Sequence, residues 1–588
     1  MDQRKNLIAQ WAFDARPILG RFHLWLEDVE ESWSGTSVPP DGLSFVGGAM
    51  ERSLVTATAV TALGTRLFGR FGEGKGASKS VTNQIKKDAD AASAYALSEG
   101  LWYLTRSLPE NHAILVSLGE GLMPKGGESP DMGSNPLLGF GRIYARPQVA
   151  KFLERRVHRL INEDGYKFED FLAEIAAARM TVWGAAVDTL ENTSRFAKGA
   201  DTGPLSVLHL FDQPLRIARP YEGYMGVLTL PRAVVEKAAE RSILLDVLTP
   251  RALVMEAIRD FYPGIRPENV HVWTLAGPTR EPRIGKLWEE WRSAGAHLVG
   301  DGWALPSGHT AFTDSGTYAP TFLVGPYRDA RGETHLFLTD GYAASAEAIQ
   351  AASLDPILGL KSSMCLLSSV FEAPIARERL VVGLDPDAPD LPEQLRRVLD
   401  KDLSAEEADE YRHALRTARN AGMPVGTRTV TVDDFLPRKE WQVLSLSGFM
   451  LDDPYSGRPG VETLERGVYR VTTRAATKCG SLEARMTLRL MESFEESRLV
   501  FSPLLDRFYR GQDFRTRPVK ISDSGRIRNE LQTLASEFLE YFGDDGIRVK
   551  FDQIPEGVLA RDKVELIREV LAWYKANHPI WFRWLEVS

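Results

Sequence analysis

The sequence predicts an α/β protein: a mainly parallel or mixed sheet core with a helical N-terminal region, a β-rich C-terminal region and a helical tail. Three observations carry that prediction. Between residues 270 and 352, apolar runs of strand length (Val270 to Leu275, His297 to Val299, Thr321 to Val324, His335 to Leu338) alternate with helical patterns. Upstream, Leu7, Ile8 and Trp11, then Phe22, Trp25, Leu26 and Val29, recur at the three-and-four spacing of an amphipathic helix. Downstream, VYRVTTR and ARMTLRL alternate polar with apolar residues, as half-exposed antiparallel strands do.

Taken in order, residues 1–110 read as a helical N-terminal region. A break from Ser34 to Gly42 precedes a small-residue helix, Met50 to Phe68, and then the cationic glycine loop GRFGEGKGASKS, Gly69 to Ser80. The loop has the glycine and lysine spacing of a phosphate-binding loop, but Gly76 stands where the magnesium-binding Ser or Thr belongs. The segment before it reads as helix, whereas that motif needs a strand before and a helix after. Its context favours a mobile, solvated loop.

Residues 111–378 form the expected α/β core with the candidate site. HAILVSL is a buried strand, and a Gly/Pro-rich run to Gly141 follows, with Lys125, Asp131, Asn135 and Arg142 as its polar candidates. Long loops in compact domains are often functional, and a lid that brings Lys125 onto bound anion is one expectation; a packed connector is the other. Residues 147–195 read mostly as helix, through VAKFLERRVHRLI and FEDFLAEIAAARMTVWGAAVDTL, with His158 on the surface. SVLHLFD and GYMGVLTLP read as strands, AVVEKAAERS and PRALVMEAIRDFYPG as helices. Residues 379–426 are acidic and Pro-punctuated, a linker with an exposed helix. Residues 427–524 are a β-rich domain, and 525–588 a helical tail whose aromatics, Trp573 to Trp584, dock it.

At 588 residues the chain exceeds one ordinary core, so two or three domains are expected. A formal net charge of −9 lacks the basic footprint of a dedicated nucleic-acid binder. Two cysteines, Cys365 and Cys479, are too few for a disulfide framework or a cysteine-only zinc site, which fits a reducing compartment. The opening MDQRKNLIAQWAFDARP has no apolar signal core. The uncharged run Ser53 to Thr65 is too short to span a bilayer. The expectation is a cytoplasmic protein with no membrane and no nucleic-acid partner.

Two stretches, Val299-Gly300-Asp301-Gly302 and Leu338-Thr339-Asp340-Gly341, place an acid and a glycine just past a buried strand. Ligands of open α/β sheets bind outside the carboxyl ends of the strands. Asp301, Asp314 and Asp340 are therefore the candidate metal carboxylates, suited to a divalent cation, magnesium first, that keeps waters for an anionic substrate. His309, next to Gly308, is the candidate proton carrier beside Asp340 as catalytic groups, because imidazole titrates near neutrality. Asp-Gly after a strand is also ordinary turn chemistry. Lys125, Arg280 and Arg283 are candidate contacts to substrate anion, the last two in a glycine-rich strand-to-helix turn where a helix N-terminus favours negative charge.

Pro306-Ser307-Gly308-His309 is similar to the PSGH core of the vanadium-haloperoxidase and type 2 phosphatidic-acid-phosphatase superfamily. That superfamily also needs an upstream Lys/Arg-Pro element and a downstream Ser-Arg with a second histidine. Ser345 to Ser369 holds neither a Ser-Arg pair nor a histidine, so no residue role is carried over. Cys365, in SSMCLLSSV, reads as packing, and Cys479 has no histidine near it in sequence. The pattern points to a metal-assisted enzyme, a hydrolase or transferase, acting on a small anionic, phosphorylated metabolite. The competing reading is a non-catalytic homo-oligomeric assembly or scaffold subunit, in which the helical ends and β region make subunit contacts.

Overall fold

A computed structural model of the chain describes residues 3–22, 24–35, 49–119, 138, 141–163, 165–201, 203–211, 213–216, 224–243, 245, 249–274, 281–300, 302–304, 325–344, 364–367, 371–372, 405, 409, 442–447, 459–477 and 480–490. Within them the chain is an α/β protein built on two sheets, one of nine strands and one of seven.

The first part of the chain contributes α1 (Gln3–Arg21), β1 (Leu24–Gly35), α2 (Ala49–Phe68), α3 (Lys79–Ser107), β2 (His112–Gly119), β3 (Ile143–Ala145), α4 (Pro147–Asn162), α5 (Phe168–Ala177), β4 (Thr181–Glu191), α6 (Thr193–Ala197) and β5 (Leu205–Phe211). Next come β6 (Tyr224–Pro231), α7 (Arg232–Glu240), α8 (Arg251–Phe261), β7 (Val270–Trp273), α9 (Glu281–Ser293), β8 (His297–Leu298), β9 (Gly325–Arg328), β10 (Thr334–Ala344), β11 (Met364–Leu367) and β12 (Phe371–Glu372). Last are β13 (Gln442–Ser447), β14 (Val461–Glu465), β15 (Val468–Thr477) and β16 (Gly480–Leu490).

The nine-stranded sheet runs β1-β16-β15-β13-β5-β4-β2-β3, with β14 beside β15. Its pairs are antiparallel except β2 with β4. This redraws the division read from sequence. Segments expected in an N-terminal helical region, an α/β core and a separate β-rich domain share one sheet and one core, where Trp11, Leu63, Leu101, Val187, Val471 and Met486 are buried together. Hydropathy periods describe single elements; they carry no information about which distant strand completes a sheet.

Two elements depart from the sequence reading for local reasons. Residues 24–35 form a strand, not the helix that Phe22, Trp25, Leu26 and Val29 imply. Leu24, Leu26 and Val29 are the buried side chains, and a register shift between Leu26 and Asp28 inserts one residue into the strand. That bulge turns a period of two into a gap of three, which imitates a helical turn. Residues 181–191 also form a strand, β4, although they read as the end of a helix. All but the first of its residues are buried, so there is no polar alternation to see. Arg179, at φ 53°, ends the preceding helical stretch.

Helix α2 is buried between α3 and the sheet, a position its composition permits. Thr56, Thr61 and Thr65 donate their hydroxyls to the carbonyls four residues back at 2.6, 2.7 and 2.6 Å, so these three hydroxyls stay hydrogen-bonded when buried. Thr58 meets Thr473 of β15 at 3.1 Å.

The seven-stranded sheet runs β11-β6-β10-β7-β8, with β9 on β10 and β12 on β6. β10, β7 and β8 are parallel, while β6 is antiparallel to β10. Helices α7, α8 and α9 cover one face, where Leu228, Leu230, Val254, Ile258, Val270, Val272, Trp291, Leu336 and Leu338 form the core. Strand alternation sends His271, His335, Phe337 and Thr339 to the other face. No described helix is long and apolar enough to cross a membrane.

Candidate functional site

Three histidines meet on that second face. His271 on β7 lies directly opposite His297 on the parallel strand β8. His335 enters from β10, in register with Tyr327 of β9. Each histidine lies at the N-terminal start of its strand, so the cluster gathers at the end of the parallel strands opposite to the one expected to bind ligands. His271 joins the other two: its Nδ1 is 2.9 Å from His297 Nδ1, and its Nε2 is 2.9 Å from His335 Nδ1. Trp303 packs on His271 and His297 at centroid distances of 4.6 and 4.7 Å, and Tyr327 stacks on His335 at 5.6 Å.

A neutral imidazole has one N–H and one acceptor nitrogen. The chain is therefore complete when His271 donates to one neighbour and accepts from the other. Burial, followed by the charges of His297 and His335, pushes the His271 pKa down to about 3. Burial also lowers that of His297. His271 is thus a neutral connector at ordinary pH.

The outer nitrogen of the third ring, His335 Nε2, is buried and makes no hydrogen bond among the described residues. It faces Asp329 Oδ2 at 3.6 Å. Asp329 occupies the turn between β9 and β10 and divides its oxygens between two tasks. Oδ1 accepts from the backbone N–H groups of Arg331 and Glu333 at 2.9 and 2.8 Å, closing the turn. Oδ2 is left toward His335. Burial pushes the Asp329 carboxyl up, but those two N–H groups and the adjacent His335 outweigh it and hold the carboxyl below its ordinary range. Glu333 closes the group, its Oε2 accepting from Arg266 at 2.6 Å.

One donor atom each from Asp329, Glu333 and His335 lie within 4.8 Å of one another. Two carboxylates and an imidazole suit a divalent ion, and modest side-chain rotation brings such donors to bonds of about 2.0–2.2 Å. The imidazole favours zinc, manganese or ferrous iron over the magnesium expected from carboxylates alone. A ligating histidine also needs a partner on its other nitrogen to fix its tautomer, which His271 supplies here.

Of the seven residues proposed from the sequence for catalysis, metal or anion binding, Asp340 is the one whose side chain is described, and its surroundings differ from expectation. It lies inside β10, paired with Leu228, not past the end of a strand. It points to the helix-covered face, away from the histidines. Arg251 grips both of its oxygens, Nε to Oδ2 at 2.6 Å and Nη2 to Oδ1 at 3.0 Å, and the Trp291 indole adds a third donor at 2.6 Å. With a guanidinium on both oxygens, Asp340 has the partners of a structural ion pair, not those of a metal ligand. Arg283 lies on α9 but its side chain is outside the described residues, as are Lys125, Arg280, Asp301, His309 and Asp314. The expected lid between Gly119 and Gly141 is likewise outside them apart from Leu138.

The glycine loop after α2 is an ordered connector and not a phosphate cradle. Helix, not strand, precedes it. The amides of Gly72 and Gly74, which a phosphate loop would turn toward its ligand, donate to the carbonyls of Phe196 and Ala197 at 3.2 and 2.9 Å.

His271, His297 and His335 were read in the sequence only as members of apolar strands. A usable signal was there: in VHVW, HLV and THLFL, a histidine opens an otherwise apolar run. Asp329 and Glu333 carried no signal beyond that of a polar turn. No protein-family model matches the chain, and no curated protein is similar enough in sequence to count as a relative.

Proposed function

We propose that the chain is a divalent-metal-dependent enzyme acting on a small anionic substrate, with Asp329, Glu333 and His335 as its protein ligands to the ion. The observation that carries this reading is the buried His335 Nε2, without a hydrogen bond among the described residues, facing Asp329 with Glu333 in the same group, and with His271 on the other ring nitrogen. An ion held there supplies Lewis acidity and an activated water for hydrolysis or group transfer. Three arginines border the acids. Arg266 bonds Glu333, Arg328 reaches the Gly332 carbonyl at 3.4 Å, and Arg331 donates its backbone N–H to Asp329. Their guanidinium groups suit a phosphate or carboxylate on the substrate.

The reading is tested by assaying chelator-treated full chain against phosphomonoesters, phosphodiesters and carboxylic esters, with zinc, manganese, ferrous iron or magnesium restored. Turnover should return with one of the first three ions and fall by at least about 100-fold in Asp329→Asn and His335→Gln, as loss of a direct ligand exceeds the roughly 10–100-fold of outer-shell changes. Turnover that persists in both variants would rule the site out.

A further inference from the structure

We propose, resting on the metal-site reading, that His297 is a positioning residue for the ion. Through His271 it sets which nitrogen of His335 carries the ring proton, and an ion at His335 is answered at His297 by a swap of that ring's own proton. The end of the chain at His297 is half-buried, whereas His271 and His335 are buried.

His271 is the middle ring of the chain. Its Nδ1 is 2.9 Å from His297 Nδ1, and its Nε2 is 2.9 Å from His335 Nδ1. With both nitrogens engaged, turning the ring over would set carbon atoms in their places and break both bonds. Neighbouring aromatic rings hold this arrangement. Trp303 packs on His271 and His297 at 4.6 and 4.7 Å, and the plane of Tyr327 lies within 18° of His271 and 10° of His335. The chain therefore reverses its direction by moving protons between ring nitrogens, not by rotating rings.

Because a neutral imidazole donates from one nitrogen and accepts at the other, the chain has two directions. In the first, His297 Nδ1–H donates to His271 Nδ1 and His271 Nε2–H donates to His335 Nδ1. The last proton then sits on His335 Nε2, facing Asp329 Oδ2 at 3.6 Å. In the second, His335 Nδ1–H donates to His271 Nε2 and His271 Nδ1–H donates to His297 Nδ1, with the last proton on His297 Nε2. An ion needs the bare lone pair of His335 Nε2, so it admits only the second direction. A carboxylate only accepts, so without an ion Asp329 favours the first. Every ring keeps one proton in both directions, and no ring gains charge. His297 Nδ1 is thus the acceptor that completes the ion-bound direction; a side chain with no acceptor there leaves the buried N–H of His271 unmet, which is costly. The linkage is reciprocal: what His297 accepts biases the ion, and the ion fixes what His297 accepts.

The test is nitrogen NMR of the full chain with isotope-labelled histidine rings, with and without zinc, the His297 signals being identified by their loss in His297→Gln. Zinc should move the Nδ1 signal of His297 toward that of a bare ring nitrogen and its Nε2 signal toward that of a protonated one. Glu333→Gln, which removes a proposed ligand, should abolish the response at the same zinc concentration. In equilibrium dialysis, His297→Phe should weaken zinc binding about 10-fold, the low end for a partner outside the ligand set. His297→Gln should recover most of that loss, because its amide oxygen accepts. Zinc bound by the wild type with the His297 signals unmoved overturns the proposal and leaves the metal site standing, as does wild-type zinc affinity in His297→Phe. No zinc bound by the wild type overturns both. If His297→Phe does not fold, the wild-type spectra still decide.

Discussion

The rings of His271 and His335 lie edge to edge, their centroids 5.2 Å and their planes 11° apart, and Nε2 of the first meets Nδ1 of the second at 2.9 Å. The two residues are 64 positions apart and are joined because β7 and β10 are parallel neighbours. Their contact ties the acid turn at Asp329 to the buried end of the sheet.

The burial of His271, with His297 and His335 beside it, sets a pH dependence of stability. His271 has a folded pKa pushed down to about 3, against about 6.5 in an unfolded chain. Above the unfolded value both states are neutral, and the contribution to stability is fully present. As pH falls from about 6.5 toward 3, the unfolded chain takes up a proton that the fold refuses, so stability drops by at most about 1.4 kcal/mol per pH unit for this group. Urea unfolding at pH 8, 7, 6 and 5 should show a flat upper limb and a falling lower one. His271→Phe should remove one proton's worth of that slope; an unchanged slope would show that another group carries it.

Asp340 and Arg251 make a different prediction. Their pair is almost wholly buried, at 1% and 4% exposure, so removing one partner strands a charge. Asp340→Ala should cost about 3–5 kcal/mol, and the double variant Arg251→Met with Asp340→Leu should recover much of it, because a buried pair often exchanges for apolar residues at little net cost. Denaturant titration of the three proteins measures this. Equal losses in the single and double variants would mean that the pair is not the source.

The loop after α2 supplies a third. A Cβ on Gly74 would stand 2.9 Å from the Ala197 carbonyl oxygen, a backbone atom that cannot move alone. Gly74→Ala should lower stability by about 1–3 kcal/mol, whereas Lys75→Ala, on an exposed side chain, should change neither stability nor any phosphate response. A phosphate response lost in Lys75→Ala would restore the phosphate-loop reading.

How much of this was legible in the sequence follows from which side chains announce their surroundings. β16 declared itself, since Leu482, Ala484, Met486 and Leu488 are buried at a clean period of two. β1 misled because its bulge changed the period, and β4 because burial on both faces left no period at all. At the site, strand-end chemistry drew attention to Asp340. An Asp inside a strand and an Asp beyond one look alike until the strand's length is known, and the partner that neutralises Asp340 lies 89 residues away. The histidines were visible one by one, but their meeting depends on strand order.

The account rests on an ion at Asp329, Glu333 and His335, and equilibrium dialysis of the full chain against zinc or manganese tests it most directly. It predicts one ion per chain, at least about 100-fold weaker binding in Glu333→Gln and His335→Gln, and undiminished binding in whatever fraction of Asp340→Asn remains folded. An ion held as tightly by Glu333→Gln and His335→Gln as by the wild type, or no bound ion at all, would contradict it.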